Sequence, residues 1–133
     1  MKVVKAVIEK SEDGYWAYFK NIPGCFSYGK TIDELMVNAQ EAVVEYIKAS
    51  KELEKALPTV LRGKFEFEYK ADIQSFFKDF NFLNITAVAK KSNINPSLLR
   101  QYATGKKNPS LEQTKKIEKG IHNIAKELSI IQF

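Results

Sequence analysis

The chain has 133 residues, of which 44% are hydrophobic and 12% aromatic, and it contains a single cysteine. This length fits one domain or two small ones, and the apolar content excludes global disorder. A lone cysteine excludes an intramolecular disulfide. No apolar run is long enough to span a membrane, and the N-terminus lacks the pattern of a cleaved secretory signal. We therefore expect a cytoplasmic protein.

The net charge of +5 is unevenly distributed along the chain. Residues 1–57 carry eight Lys and nine Asp or Glu, whereas residues 71–133 carry ten basic and five acidic side chains. A positive excess confined to one half is typical of a nucleic-acid-binding module joined to a neutral domain. A lysine-rich solvated face would have the same composition, so charge alone does not decide between the two.

The first half predicts three strands followed by a helix. Two β-rich runs, "VVKAVIEK" and "GYWAYFK", flank "SEDG", and a third short run, "CFSYG", follows a Pro-Gly turn. Thr31 and Glu34 match a capping box, and apolar residues then recur at helical spacing from Ile32 to Ile47. We place a first domain at 1–57, with the helix laid across one face of a small sheet.

Residues 58–70 are interpreted as a linker and a fourth strand. The run "KFEFEYK" alternates aromatic and acidic side chains, which is typical of a half-buried strand. The sequence leaves three pairings open for it: within its own sheet, with a partner subunit, or with the terminal "SIIQF" at 129–133, a possible strand.

Residues 71–133 predict an all-helical domain of four helices. The expected N-caps are Asp72, Thr86 and Asn95, and the fourth helix is entered through Pro109-Ser110. Only Asn93-Ile94-Asn95 separates the second helix from the third. Asparagine tolerates a left-handed backbone, and an apolar residue in a turn makes sense where it fills the gap between crossing helices. The pattern predicts a helix-turn-helix, whose second helix lies in the major groove of DNA.

This second half resembles the lambda-repressor-type, or XRE-type, helix-turn-helix family. Members share an alanine in the second helix, a short turn, an apolar and an aromatic residue in the recognition helix, and a Gly-Lys-x-x-Pro-Ser/Thr loop. The matching residues are Ala89, Asn93, Ile94, Leu99, Tyr102, Gly105, Lys106, Pro109 and Ser110. Two positions depart from the family: the turn holds asparagine instead of the usual glycine, and Ala103 stands where many members carry glutamate.

The resemblance implies that the N-terminal turn of the recognition helix faces base edges. Arg100 and Gln101 are the expected readers, because arginine can bridge guanine and glutamine can bridge adenine with two hydrogen bonds. The other expected DNA-binding residues, through base edges, phosphates or helix-terminal amides, are Thr86, Lys90, Asn95, Ser97, Lys106 and Lys107. The alternative is a helix-turn-helix kept only for dimerisation or protein contact.

The first half resembles the HicB antitoxins, whose N-terminal domain has a Gly-Tyr-x-Ala strand, a Pro-Gly-Cys turn, a Gly-x-Thr motif and a helix with Asn-Ala and Glu-Ala. The matching residues are Gly14, Tyr15, Ala17, Pro23, Gly24, Cys25, Gly29, Thr31, Glu34, Asn38, Ala39, Glu41 and Ala42. Lys20-Asn21 replaces the family's usual Pro-Asp. The resemblance implies an α+β fold with the element order β-β-β-α(-β), which is partly RNase-H-like. It also implies that this domain binds and masks HicA, a small basic mRNA-cleaving toxin.

Cys25 is the one conspicuous nucleophile of the first half. A nucleophilic cysteine needs a base and an electropositive setting, but the only histidine, His122, lies far along the chain in the last helix. We interpret Cys25 as a packing residue after a turn. A metal nuclease needs converging carboxylates, and the first three strands offer only Glu9, with Asp13 in a turn. We expect no enzymatic activity, no catalytic residue, no metal and no cofactor.

Trp16 and Tyr18 alternate with Ala17 in the second strand. If Ala17 faces the helix, both aromatics stand on the uncovered face, where they are the expected partner-binding residues. A dimer contact or plain packing is the alternative reading of this surface.

The function expected from both halves is a type II antitoxin. It would mask a HicA-like toxin and, as a dimer or larger homo-oligomer, bind double-stranded operator DNA to repress its own operon. The alternative is a stand-alone helix-turn-helix transcriptional regulator whose first domain dimerises or senses a signal. No membrane partner is expected.

Overall fold

The computed structural model describes all 133 residues and divides into two compact units, Met1–Ala71 and Asp72–Phe133. The first unit holds four strands and one long helix, and the second holds four helices. The expected α+β class is therefore confirmed. Residues 58–70 lie in the first unit, where a short 3-10 turn at Thr59–Leu61 leads into the fourth strand that the sequence predicts.

The first unit is built on one sheet with the strand order β3-β2-β1-β4. The strands are β1 (Lys2–Ser11), β2 (Gly14–Phe19), β3 (Phe26–Gly29) and β4 (Phe65–Lys70). β2 pairs antiparallel with β1 and β3, whereas β4 runs parallel to β1 with Phe67 opposite Val4. The question left open for "KFEFEYK" is thus settled, because this run is an edge strand of its own sheet.

Helix α1 (Ile32–Glu52) covers one face of the sheet. Thr31 caps it by accepting the Glu34 N–H at 3.1 Å, as predicted. Leu35, Ala39 and Val43 recur every fourth residue and form the buried stripe of the helix. The sheet residues that complete this core are Val4, Ala6, Ala17 and Phe19. The four-stranded sheet thus has one face covered by α1 and one face open.

The second unit consists of α2 (Ile73–Asp79), α3 (Ile85–Lys91), α4 (Pro96–Ala103) and α5 (Leu111–Ile130). The expected caps Asp72 and Asn95 are confirmed, and Ser110, through which the last helix is entered, caps α5. Thr86 as the cap of α3 is wrong: Asn84 caps this helix because its side-chain oxygen accepts the Ala87 N–H at 3.0 Å. The helix therefore begins at Ile85, and Thr86 lies inside its first turn.

A tight turn joins α3 to α4. Asn93 has the left-handed φ of 54°, and Ile94 is buried in the core between the helices, both as the sequence predicts. Val88 and Leu99 are buried on either side, and Ala89 is fully buried where α3 meets its neighbours. Replacing glycine by asparagine at this turn is therefore compatible with the backbone.

The possible strand at 129–133 is wrong. Ser129 and Ile130 complete α5, and the helical hydrogen bonding extends one residue further, where the Ile131 N–H donates to the Leu128 carbonyl at 3.3 Å. A strand also needs a neighbour to pair with, and the second unit contains none. No helix of either unit combines the length and the apolar character required to cross a bilayer.

Replacing Leu35 with alanine is expected to destabilise the first unit by about 2–5 kcal/mol, because the fully buried side chain leaves a cavity between α1 and the sheet. Val37→Ala, on the exposed side of the same helix, is the matched control and should change the free energy of unfolding by less than about 0.5 kcal/mol. Urea unfolding followed by circular dichroism measures both. Equal effects of the two variants would contradict the assignment of the buried face.

Candidate functional site

Four aromatic side chains lie together on the sheet face opposite α1: Trp16, Tyr18, Phe26 and Tyr28. The strand register places Trp16 opposite Tyr28 and Tyr18 opposite Phe26. The Trp16 ring centroid is 5.0 Å from that of Tyr28 and 5.9 Å from that of Phe26. Tyr18 and Phe26 are 45% and 56% exposed. We call these four residues the aromatic patch.

The alternation of the strands puts the aromatic patch on the open face. Ala17 is fully buried under α1, so its neighbours Trp16 and Tyr18 point away from the helix, as the sequence predicts. The sequence interpretation missed Phe26 and Tyr28. The alternation along the third strand could have identified them, because Phe26 and Tyr28 alternate with Ser27 and Gly29, which are buried.

Hydrogen bonds hold the strand that carries half of the patch. The Tyr28 hydroxyl donates to the Asp13 carbonyl at 2.8 Å, and the Asn38 side chain on α1 donates to the Tyr28 carbonyl at 2.8 Å. Burial, with help from the carboxylates of Asp13 and Glu34, raises the pKa of Tyr28. The phenol therefore stays protonated and remains a donor. These hydrogen bonds hold β3 and fix the position of Tyr28 in the patch.

A close approach of two backbones also fixes β3. A Cβ atom on Gly29 would collide with the backbone of Leu35 at the start of α1. Only glycine therefore fits where the strand ends under the helix.

Cys25 precedes β3 and is half-buried against the core of the first unit. Its N–H donates to the Ile22 carbonyl at 3.2 Å, and its carbonyl accepts from the Phe19 N–H at 3.4 Å. Burial raises the pKa of the Cys25 thiol, which is the opposite of what activates a nucleophile. No group of three or more His, Cys, Asp and Glu side chains is arranged to hold a metal ion.

Alkylation of Cys25 by iodoacetamide at neutral pH is expected to be at least about tenfold slower in the folded protein than in urea. A raised pKa leaves a smaller thiolate fraction at any pH below it, and burial limits access. The native rate should also rise with pH through a higher midpoint than the denatured rate. Mass spectrometry of timed samples measures this, and labelling that is faster in the native chain would contradict it.

A second surface is formed by α3 and α4. The Arg100 guanidinium donates from Nη2 to the Thr86 hydroxyl at 2.8 Å, which links the two helices across their exposed side. Lys90 follows Thr86 by one helical turn and is exposed. Ser97 is exposed one turn before Arg100. We call this side, from Thr86 and Lys90 to Ser97 and Arg100, the α3–α4 face.

The loop after α4 carries Lys106 and Lys107, both exposed. Gly105 begins this loop with a φ of 81°, a conformation that side chains rarely adopt. The Lys107 N–H donates to the Gln101 carbonyl at 3.2 Å, so the loop folds back onto the helix.

Gln101, the other expected base reader, is less accessible than Arg100. The side chain is partly buried, and its Oε1 atom is enclosed without a hydrogen-bond partner. A two-bond contact with adenine needs both this oxygen and the neighbouring nitrogen. The enclosed oxygen is not available for it in this arrangement.

Side-chain caps occupy some of the helix-terminal amides at the starts of α3 and α4, where the sequence predicts DNA contacts. The Asn95 side-chain oxygen accepts the N–H of Ser97 at 2.8 Å and of Leu98 at 3.4 Å. At α3 the Asn84 oxygen has the corresponding role. Caps that hydrogen-bond the first amides leave fewer donors for a phosphate. Thr86 faces the surface through its hydroxyl, as the acceptor for Arg100.

The fold and its two surfaces define a small two-unit α+β protein, with an aromatic sheet face in one unit and a basic excess in the other. The model of the HicB-like antitoxins of bacterial toxin-antitoxin systems matches residues 4–101, and the chain belongs to that family.

Two curated relatives illustrate the similarity. An uncharacterized 14.9 kDa protein from the rep-hol intergenic region of Haemophilus phage HP1 is 36% identical over 96 residues, which span 69% of this chain and 71% of the phage protein. A UPF0150 protein of Archaeoglobus fulgidus is 43% identical over 49 residues, 36% of this chain and 71% of its own. Among solved structures, a HicA3 and HicB3 toxin-antitoxin complex contains a chain that is 36% identical; the match covers 39% of this chain and 60% of that one, with a TM-score of 0.38.

Proposed function

We propose that this antitoxin binds and masks a HicA-like RNase toxin through the aromatic patch. The observation that carries the proposal is the patch itself: four aromatic side chains, one of them tryptophan, on a sheet face that no element of the first unit covers. Tryptophan and tyrosine are enriched at the centres of protein interfaces. Contiguous exposed apolar groups on a rigid sheet are typical of a binding surface.

Charged side chains flank the patch on the same face, on the side of β1 and β4, and suit it to specific recognition. Glu9 lies opposite Trp16, and Lys5, Glu66 and Glu68 occupy the open face of the neighbouring strands β1 and β4. Hydrogen bonding to Lys70 lowers the pKa of Glu68, so this carboxylate is ionised at neutral pH. An apolar centre with a charged rim favours one orientation of the partner.

We propose that the chain masks its partner without catalysing a reaction and without a cofactor. The partly RNase-H-like sheet implied by the family would then be a binding platform. The thiol of Cys25, whose pKa is raised, and the lack of a cluster of metal-ligating side chains support this view. Masking needs only that the antitoxin occupies the surface with which the toxin binds RNA.

Trp16→Ala is expected to weaken toxin binding by about 2 kcal/mol or more, since it removes the centre of the patch. The test co-expresses the chain with the product of the adjacent reading frame and measures co-purification and the RNase activity of that product. Phe82→Ala removes an aromatic side chain that is 78% exposed in the second unit and is the matched control. Full neutralisation by the Trp16 variant would contradict the role of the patch.

We further propose that α3 and α4 form a helix-turn-helix that binds the operator of the chain's own operon. The left-handed Asn93, the buried Ile94 and the basic excess of residues 71–133 support it. Arg100 is the proposed base reader. Its bond to Thr86 restricts the guanidinium to one orientation, which lowers the entropy lost when it pairs with guanine. Lys90, Lys106 and Lys107 are the proposed phosphate contacts.

Arg100→Ala is expected to weaken binding to a DNA fragment from upstream of the chain's own reading frame by about 1–3 kcal/mol. Thr86→Val keeps the arginine but removes its hydrogen-bond acceptor, so it should reduce the preference for guanine at one position while leaving the salt dependence unchanged. Lys55→Ala, which removes a positive charge from the first unit, is the control. Gel shifts that are identical for Arg100→Ala and the control would remove Arg100 from the readout.

A further inference from the structure

One end of the aromatic patch combines aromatic rings with carboxylates. The ring centroids of Trp16 and Tyr28 lie 5.0 Å apart, and the ring planes are inclined by 55°, so the two rings do not stack face to face. Both residues are partly exposed on the open face of the sheet. The face of an aromatic ring carries a negative electrostatic potential, and tryptophan attracts cations most strongly. The rings at this end of the patch therefore favour a cation over a neutral group.

Acidic side chains lie around the same two rings. Glu9 is exposed and lies directly opposite Trp16 on the neighbouring strand β1. The Cβ atoms of such a pair are about 4.5–5.5 Å apart. Burial raises the pKa of Tyr28, and the negative charges of Asp13 and Glu34 raise it further, so two more carboxylates lie near the second ring.

The basic side chains of the open face lie away from this end of the patch. Lys5 precedes Glu9 by four residues on β1, which corresponds to about 13 Å along the strand. Lys70 is on the outer strand β4, where it pairs with Glu68 at 2.8 Å. Lys10 follows Glu9 directly and therefore points to the other side of the sheet. A cation supplied by a partner would thus meet the carboxylates beside Trp16.

We propose that the Trp16–Tyr28 end of the aromatic patch binds an arginine side chain of a basic protein partner. The guanidinium lies flat on the Trp16 indole, beside Tyr28, and donates hydrogen bonds to the Glu9 carboxylate. A planar guanidinium stacks on an aromatic ring and presents parallel N–H donors to a carboxylate, whereas the ammonium of lysine is compact and strongly hydrated. The inference rests on the proposed masking of a basic toxin, which is the source of the arginine.

The charges favour a basic protein over a nucleic acid at this end of the patch. Nucleic-acid bases also stack on aromatic side chains, but proteins that bind single strands combine such stacking with a positively charged groove. The carboxylates near Trp16 and Tyr28 would instead repel the phosphates of a nucleic acid.

Trp16 is the only tryptophan of the chain, so its fluorescence reports directly on this site. The probe is N-acetyl-arginine amide, and the matched control ligand is N-acetyl-citrulline amide, in which a neutral urea group replaces the guanidinium. Titration of the full chain at constant ionic strength should show a saturable fluorescence change. The association constant of the arginine derivative is expected to be at least about fivefold higher than that of the citrulline derivative. Equal association of the two ligands, or no response to either, would overturn the proposal.

Glu9→Gln removes the negative charge beside Trp16 at an exposed position, so the fold should not change. This variant is expected to bind the arginine derivative about threefold more weakly and the citrulline derivative as well as the wild type does. Glu66→Gln, on β4 opposite Val3, is the matched control and should behave as the wild type. An equal loss in the two variants would contradict the assigned position, because it would reflect net charge alone.

Toxin binding by the same variants separates this inference from the masking on which it rests. The expected result is that Glu9→Gln weakens co-purification with the product of the adjacent reading frame, whereas Glu66→Gln does not. If Trp16→Ala abolishes toxin binding but Glu9→Gln leaves it unchanged, arginine recognition is overturned and masking through the patch stands. If the arginine derivative binds as expected but Trp16→Ala still neutralises the toxin, the arginine site stands and masking through the patch is contradicted.

Discussion

The contact between α1 and one face of the sheet is the constraint on which the first unit depends. Leu35, Ala39 and Val43 fill this face, and a single helix of 21 residues has no second stripe with which to cover the other. The open face therefore keeps its aromatic side chains at the surface. The packing that stabilises the unit also leaves the aromatic patch available to a partner.

The stretch around Cys25 contributes through geometry. Gly24 takes a left-handed φ of 78°, and the thiol of Cys25 packs as a small apolar group. Together they turn the chain so that β3 begins at Phe26 and places this ring and Tyr28 beside Trp16. Gly29 then ends the strand directly under α1. The residues whose types suggest chemistry in the sequence thus have a structural role, because they position β3 and its part of the aromatic patch.

Local patterns predicted most of the elements, whereas contacts between distant segments decided the rest. The caps at Thr31 and Asn95 and the left-handed Asn93 follow from residue type and spacing. The parallel pairing of β4 and the enclosure of the Gln101 side-chain oxygen depend on contacts that helical or strand periodicity does not encode. The composition of the short apolar run at 129–133 fits either a strand or a helix, and the hydrogen bonds of α5 extend into it.

The core of the second unit fixes the proposed operator surface. Ile117 of α5 packs in the core that also holds Ile94 and Leu99, so α3, α4 and α5 share one set of buried contacts. Because the turn at Asn93 and helix α4 rest on this core, the position of Arg100 would be set by packing before any DNA is bound. Operator binding would then not have to order a new segment, which removes a large part of the entropic opposition to binding.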